Sequence, residues 1–172
     1  MADLAMPQAP SLRRRLACFI YEGLLLFGVS VAVGLLYSPL MQQRNALDHR
    51  QGLMFALGLA YALYFGYFWT HGGQTLAMKT WRLRLIRVDG SELGAGRALQ
   101  RFVLSLMWWA LPLASTLQLR QWGLGIGPVS AVAILGILGY ALLSRRLPGR
   151  QFAHDLLSGT ALVDHQPIAK KS

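Results

Sequence analysis

The stretch from Leu16 to Tyr37 constrains the fold more than any other part of the chain. It is an apolar run with one formal charge, Glu22, and it directly follows Arg13, Arg14 and Arg15. Coiled as a helix it reaches about 33 Å, enough to cross a bilayer's hydrocarbon core. A secretory signal has a shorter apolar core followed by a small-x-small cleavage site. Neither feature is present, so the run reads as a retained span that also serves to target the chain to the membrane.

Further apolar runs follow at about 53–70, 102–117 and 126–143. Ser38-Pro39 is expected to end the first span, because proline disfavours helix in the residue before it. Pro112 is expected to kink the third span, a break that neighbouring helices can tolerate in a membrane. The region 102–143 reads as two full spans, with a shallow hairpin as the alternative. Charged residues make up only 14% of the chain and hydrophobic residues 54%. A polar shell cannot be built from so few charges, so apolar side chains must face lipid. Gly58, Ala62 and Gly66 on the second span, and Gly28 with Ala32 on the first, have the small-xxx-small spacing that lets membrane helices approach closely.

Between the second and third spans the period changes. Trp81, Leu83 and Leu85 alternate with Arg82 and Arg84, the pattern of a strand with one polar face. Asp89-Gly90 is a hairpin signal, and Thr160 to Val163 is apolar and β-branched enough to pair with the strand. The expected architecture is therefore an all-α membrane domain over 1–172. It consists of a bundle of about four transmembrane helices and a small β-element at about 80–94 with 160–163.

The net charge of +10 would suggest nucleic-acid binding in a soluble protein. Here the basic residues sit at the ends of apolar runs, where they set orientation and meet anionic headgroups. No zinc spacing, helix-turn-helix or aromatic-basic strand accompanies them, so the expected partner is the lipid bilayer and not nucleic acid. Fourteen of the seventeen basic residues fall on the side of the two termini and the β-element, leaving Arg44, Arg50 and Arg120 opposite. The positive-inside rule then makes both termini cytoplasmic.

Few residues invite chemistry. Glu22 does, because a carboxylate inside a span is costly and is by default a functional candidate. Arg15 lies seven residues earlier on nearly the same helical face. The plainer reading is that Glu22 pins helices together near the cytoplasmic boundary; the sharper one is proton or ion coupling. His154-Asp155 follows the last span, but Ser158 is not set in a nucleophile elbow. A polar cluster with Asp155 meeting Arg15 or Arg101 fits better than a catalytic triad. Gly73 to Lys79 is faintly like a phosphate loop, yet Met78 stands where G-x-x-x-x-G-K-[ST] needs its second glycine. His49 and His71 lack partners at metal-ligand spacing, and the single cysteine, Cys18, reads as a small apolar residue. No enzyme, metal or cofactor is expected.

Four segments resemble the RDD family of bacterial membrane proteins, named for one arginine and two aspartates. Arg15-Leu-Ala-Cys-Phe-Ile-Tyr-Glu22 resembles its opening motif, and Gly73-Gln-Thr75-Leu-Ala-Met-Lys79 its turn after the second span. Arg97 and Arg101 resemble the arginines before the next span, and His154-Asp155-Leu-Leu-Ser-Gly-Thr160 its closing motif. Glu22 replaces the first aspartate, and Ala77 stands where the turn has glycine. The resemblance implies a bacterial inner membrane, and transport is often supposed for such proteins, with cation/proton antiport attributed to some members.

Two functions follow as expectations. One is a transporter or transport-associated protein for a cation or small solute, with Glu22 coupling. The other is a non-catalytic scaffold or assembly factor. Four short helices leave little room for alternating access, so a transporter of this size is expected to work as a homo-oligomer. In either case Arg15, Glu22, Arg101 and Asp155 are expected to gather into one polar cluster. Gly73, Thr75, Lys79, His154 and Thr160 are expected to support it.

Overall fold

The computed structural model describes residues 6–42, 49–123 and 125–165. The described residues form two compact units, those within Ser11–Arg84 together with Asp164 and His165, and 6–10 together with those within Leu85–Val163.

In the first unit, α1 (Leu12–Leu40) and α2 (Arg50–Thr70) are both long and apolar enough to cross a membrane. Burial on α1 is inverted relative to a soluble helix. Ile20, Leu24 and Phe27 are about two-thirds exposed, while Arg15, Cys18 and Glu22 are at most 8% exposed. Those three positions form one stripe at helical spacing, so the helix turns its polar side inward and its apolar side to lipid.

Contrary to expectation, α1 runs through Ser38-Pro39 to Leu40. Pro39 forfeits the one N–H that would reach the Leu35 carbonyl, but only Leu40 follows it in the helix, so the break disturbs little. The Met41 N–H donates to Tyr37 O at 3.0 Å and closes the end. Arg44 and Asn45, in the expected loop, lie outside the described residues.

The small-residue stripes do not mark the contact between α1 and α2. A Cβ added to Gly28, Gly58 or Gly66 would meet no atom within 4 Å. Long polar side chains span the gap instead, as where Tyr61 Oη and Ser30 Oγ lie 2.6 Å apart. Aromatic bulk at such positions keeps the glycine backbones from being the points of closest approach.

After α2 the chain turns at Gly73, whose φ of +73° favours glycine. It then enters the short helix α3 (Leu76–Thr80), which packs on α1. Thr75 caps α3 by accepting the Met78 N–H at 3.2 Å. Ala77, where the family turn has glycine, is a buried helical residue and needs no glycine conformation.

Strand β1 (Leu83–Arg87) pairs with β2 (Thr160–Asp164) in a two-stranded sheet. Val88 N–H to Gly159 O (3.1 Å) and His165 N–H to Arg82 O (2.9 Å) bracket an antiparallel ladder. Leu83 and Leu85 are buried and Arg84 is exposed, as their alternation predicts. The return strand expected after Asp89-Gly90 does not form. The Asp89 carboxylate accepts both Ser91 N–H and Ser91 Oγ–H, and this local turn releases the chain into α4 (Ala95–Ser105) within a few residues. Those hydrogen bonds, helped by Arg87, hold the Asp89 carboxyl below its ordinary pKa.

In the second unit α4 leads through a tight turn at Leu106 into α5 (Met107–Gln121), which packs along α6 (Ile126–Leu143). Ala95–Leu119 and Ile126–Arg146 are each long and apolar enough to cross a membrane. The helical stretch that carries the third apolar run thus begins at Ala95, ahead of the run itself at 102: Arg97 and Arg101 lie one turn apart on one face of α4 and do not interrupt it. The interruption falls at Leu106, while Pro112 stays inside α5. At Gly136 an added Cβ would sit 3.4 Å from the Pro112 ring, so the close approach of these helices is built on that pair.

Two 3₁₀ turns, Ser144–Arg146 and Pro148–Arg150, follow α6 and lead to α7 (Ala153–Leu157), which packs on α4. Gly149 adopts φ +59°, and a Cβ there would fall 2.5 Å from Pro7 O. The chain near Pro7 is tied down alongside, where the Ala9 N–H donates to Gly149 O at 2.8 Å.

Candidate functional site: two buried carboxylates

The expected site residues are shared between the two units, and each unit is taken by itself. In the first unit Glu22 lies on the buried stripe of α1. Tyr64 Oη, from α2, donates to its Oε1 at 2.7 Å, and Thr75 Oγ1 donates to its Oε2 at 2.5 Å. Thr75 can do this while capping α3 because its hydroxyl has both a proton to give and lone pairs to accept with. Glu22 forms no ion pair among the described residues. A carboxylate taken from water costs several kcal/mol unless hydrogen-bonded, and here neutral hydroxyls supply those bonds.

The other residues around Glu22 have separate tasks. Arg15 and Cys18 share its stripe and are buried. Gly73 makes the turn that brings Thr75 to the carboxylate, and Gln74 Nε2 donates to Leu83 O at 2.5 Å, which ties the turn to β1. Lys79 is exposed in the last turn of α3, where it complements the helix dipole.

In the second unit the Asp155 carboxylate is fully buried and is met by Arg101 from α4. Nε donates to Oδ1 at 2.9 Å, and the terminal nitrogen lies 2.7 Å from the same oxygen. His154 Nε2 stands 3.7 Å from it, and His154 Nδ1 is 2.9 Å from Tyr140 Oη on α6. Ser158 Oγ donates to His154 O at 2.7 Å and lies 2.8 Å from Thr160 Oγ1. Gln151 clasps the chain on two sides. Its Nε2 donates to Pro7 O and Leu162 O, and its Oε1 accepts the Leu162 N–H. This is a charge-assisted lock surrounded by backbone ties.

Of the four residues expected to cluster, Arg15 and Glu22 thus lie on one face of α1, and Arg101 and Asp155 form an ion pair in the other unit. Sequence reasoning missed Tyr64, Tyr140 and Gln151. Tyr64 stands among several aromatics on α2, and only its i, i+3 relation to Tyr61, which puts both hydroxyls toward one face of the helix, sets it apart. Tyr140 was the one phenol in an otherwise aliphatic run. Gln151 carries no motif.

Four apolar helices with an inward-turned polar stripe define a multi-pass integral membrane protein. The profile of the RDD family matches residues 9–159, and the chain belongs to that family. No curated protein and no solved structure matches it significantly.

Proposed function

We propose that this chain is a transport protein of the bacterial inner membrane, moving a cation or small solute with proton coupling at Glu22. One observation supports the reading: Glu22 is buried in a span and, among the described residues, its hydrogen bonds all come from hydroxyls. A hydroxyl serves a carboxylate as donor and a carboxylic acid as acceptor, so both protonation forms find partners without rebuilding the site. Asp155 has no such freedom, because a guanidinium can only donate. In this reading Arg101–Asp155 is structural and Glu22 exchanges the proton. Both termini are assigned to the cytoplasm on the distribution of basic residues, and the working unit is a homo-oligomer. No enzymatic step is included.

The Gln151 clasp favours a second reading, a rigid scaffold or assembly factor. Flux in proteoliposomes separates the two. A proton-coupled transporter carries a pH-dependent cation flux that Glu22→Gln abolishes without unfolding the protein. A scaffold carries none. Topology is tested separately with reporters fused after Ser172 and near Asn45, both outside the described residues. The first is expected to be active in the cytoplasm and the second outside, and reversal of either overturns the orientation.

A further inference from the structure

The first unit carries a cavity that the Glu22 centre does not use. Its volume is about 350 Å³, and Arg14, Thr80, Trp81, Arg82, Asp164 and His165 line it. Such a volume suits a small polar group. The Arg14 guanidinium is already committed. It pairs with Asp164 and donates to the Trp81 carbonyl at 2.7 Å and the Arg82 carbonyl at 3.2 Å. The charges of Arg14 and Asp164 therefore cancel.

Arg82 differs. Its side chain is exposed and makes no hydrogen bond or ion pair among the described residues. Its backbone is nevertheless held at φ +54°, in the left-handed region that L-residues avoid. Three hydrogen bonds keep it there: its N–H to Lys79 O at 3.2 Å, and its carbonyl accepting from the His165 N–H and from Arg14. An unfavourable conformation maintained at a cavity wall is a pointer to function. The result is a cavity with one uncompensated guanidinium, beside the His165 imidazole and the Thr80 hydroxyl.

We propose that this cavity binds the phosphodiester of an anionic phospholipid, with Arg82 as its principal ligand. A guanidinium presents paired N–H donors that match two phosphate oxygens. A phosphodiester carries one negative charge, which balances the one guanidinium left uncompensated among the described lining residues. Position supplies the rest of the case. Arg14 lies in the first turn of α1, so the cavity sits at the end of a membrane-crossing helix, at headgroup level. Trp81 is an aromatic of the kind found there. Free phosphate shares the chemistry, but it brings a second charge that this wall does not balance and has no reason to collect at a helix end. This inference does not depend on the transport reading.

The test is native mass spectrometry of the full-length protein in mild detergent. Dioleoylphosphatidylglycerol and dioleoylphosphatidylcholine are offered in equal amounts, with a parallel arm containing inorganic phosphate. The wild type is expected to retain phosphatidylglycerol in preference to phosphatidylcholine. Arg82→Gln should lower that retention about fivefold, the factor one basic residue carries near an anionic surface. Its thermal unfolding in lipid-free detergent should match the wild type, since the side chain makes no bond to any described residue. Arg84→Gln, exposed on β1 two residues further on but outside the cavity, should retain as much lipid as the wild type. Equal retention of the two lipids overturns the proposal. So does an Arg84→Gln loss as large as that of Arg82→Gln, which would mean diffuse surface charge. Displacement of the lipid by inorganic phosphate overturns the lipid assignment.

Discussion

Glu22 and Asp155 are both buried acids, 8% and 0% exposed, yet their surroundings differ in kind. Glu22 meets two hydroxyls delivered by α2 and by the cap of α3, whereas Asp155 meets the Arg101 guanidinium at 2.7–2.9 Å. On the proposed reading, one chain uses a buried carboxylate in two ways. Paired with a permanent cation, an acid is held in its ionised form and serves as a fastener. Surrounded by groups that both give and take protons, it keeps its fastening role only in part and becomes free to change form.

This contrast can be broken most forcefully at the ion pair. Arg101→Ala leaves Asp155 buried beside no cation from α4, and losing one partner of a buried pair costs about 3–5 kcal/mol. The variant is expected to show a large fall in unfolding temperature in detergent, or to yield no folded protein. Near-wild-type stability would remove Asp155 from its fastening role. At the other centre Glu22→Ala strands the Tyr64 and Thr75 hydroxyls, at about 1–3 kcal/mol for each buried group. Glu22→Gln keeps an acceptor and the side-chain shape and is expected to cost less than Glu22→Ala in the same assay. Equal losses would mean that the hydroxyl contacts do not support the helix pair.

Smaller effects sharpen the comparison. Tyr64→Phe and Tyr140→Phe each delete one phenol, from the Glu22 and His154 contacts respectively, and each is expected to cost about 1 kcal/mol. Only Tyr64→Phe should also alter the pH dependence of flux, and a change of equal size in Tyr140→Phe would erase the division of roles. The smallest effect concerns the single cluster expected from sequence. A double-mutant cycle between Arg15 and Asp155 is expected to give a coupling of about 0.5 kcal/mol or more if the cluster exists. Additive losses would dissolve it.

What the sequence revealed depended on whether the signal was local. The spans were legible because uninterrupted apolar runs of membrane length have few other solutions. The β1 strand was legible because Trp81 to Leu85 alternates strictly. The helix that precedes the third apolar run was not, because Arg97, Gln100 and Arg101 look like a loop until they are seen as one face of a helix. Candidate acids were found from the energetic cost of their placement. Their partners were not: Tyr64 is 42 positions from Glu22 and Arg101 is 54 from Asp155, and no periodicity links residues so far apart. The glycine stripes misled for a related reason, since spacing shows which residues share a face but not what that face meets.

The central claim, that Glu22 exchanges a proton while Asp155 holds the fold, is tested most directly by reconstituting the wild type and Glu22→Gln side by side in liposomes. Cation flux driven by an imposed pH gradient is read with an internal pH dye across sodium, potassium and calcium. The expected result is a pH-driven flux in the wild type that is lost in a Glu22→Gln variant whose unfolding temperature and oligomer size are unchanged. Equal flux in the two proteins, or no flux in either, would contradict it.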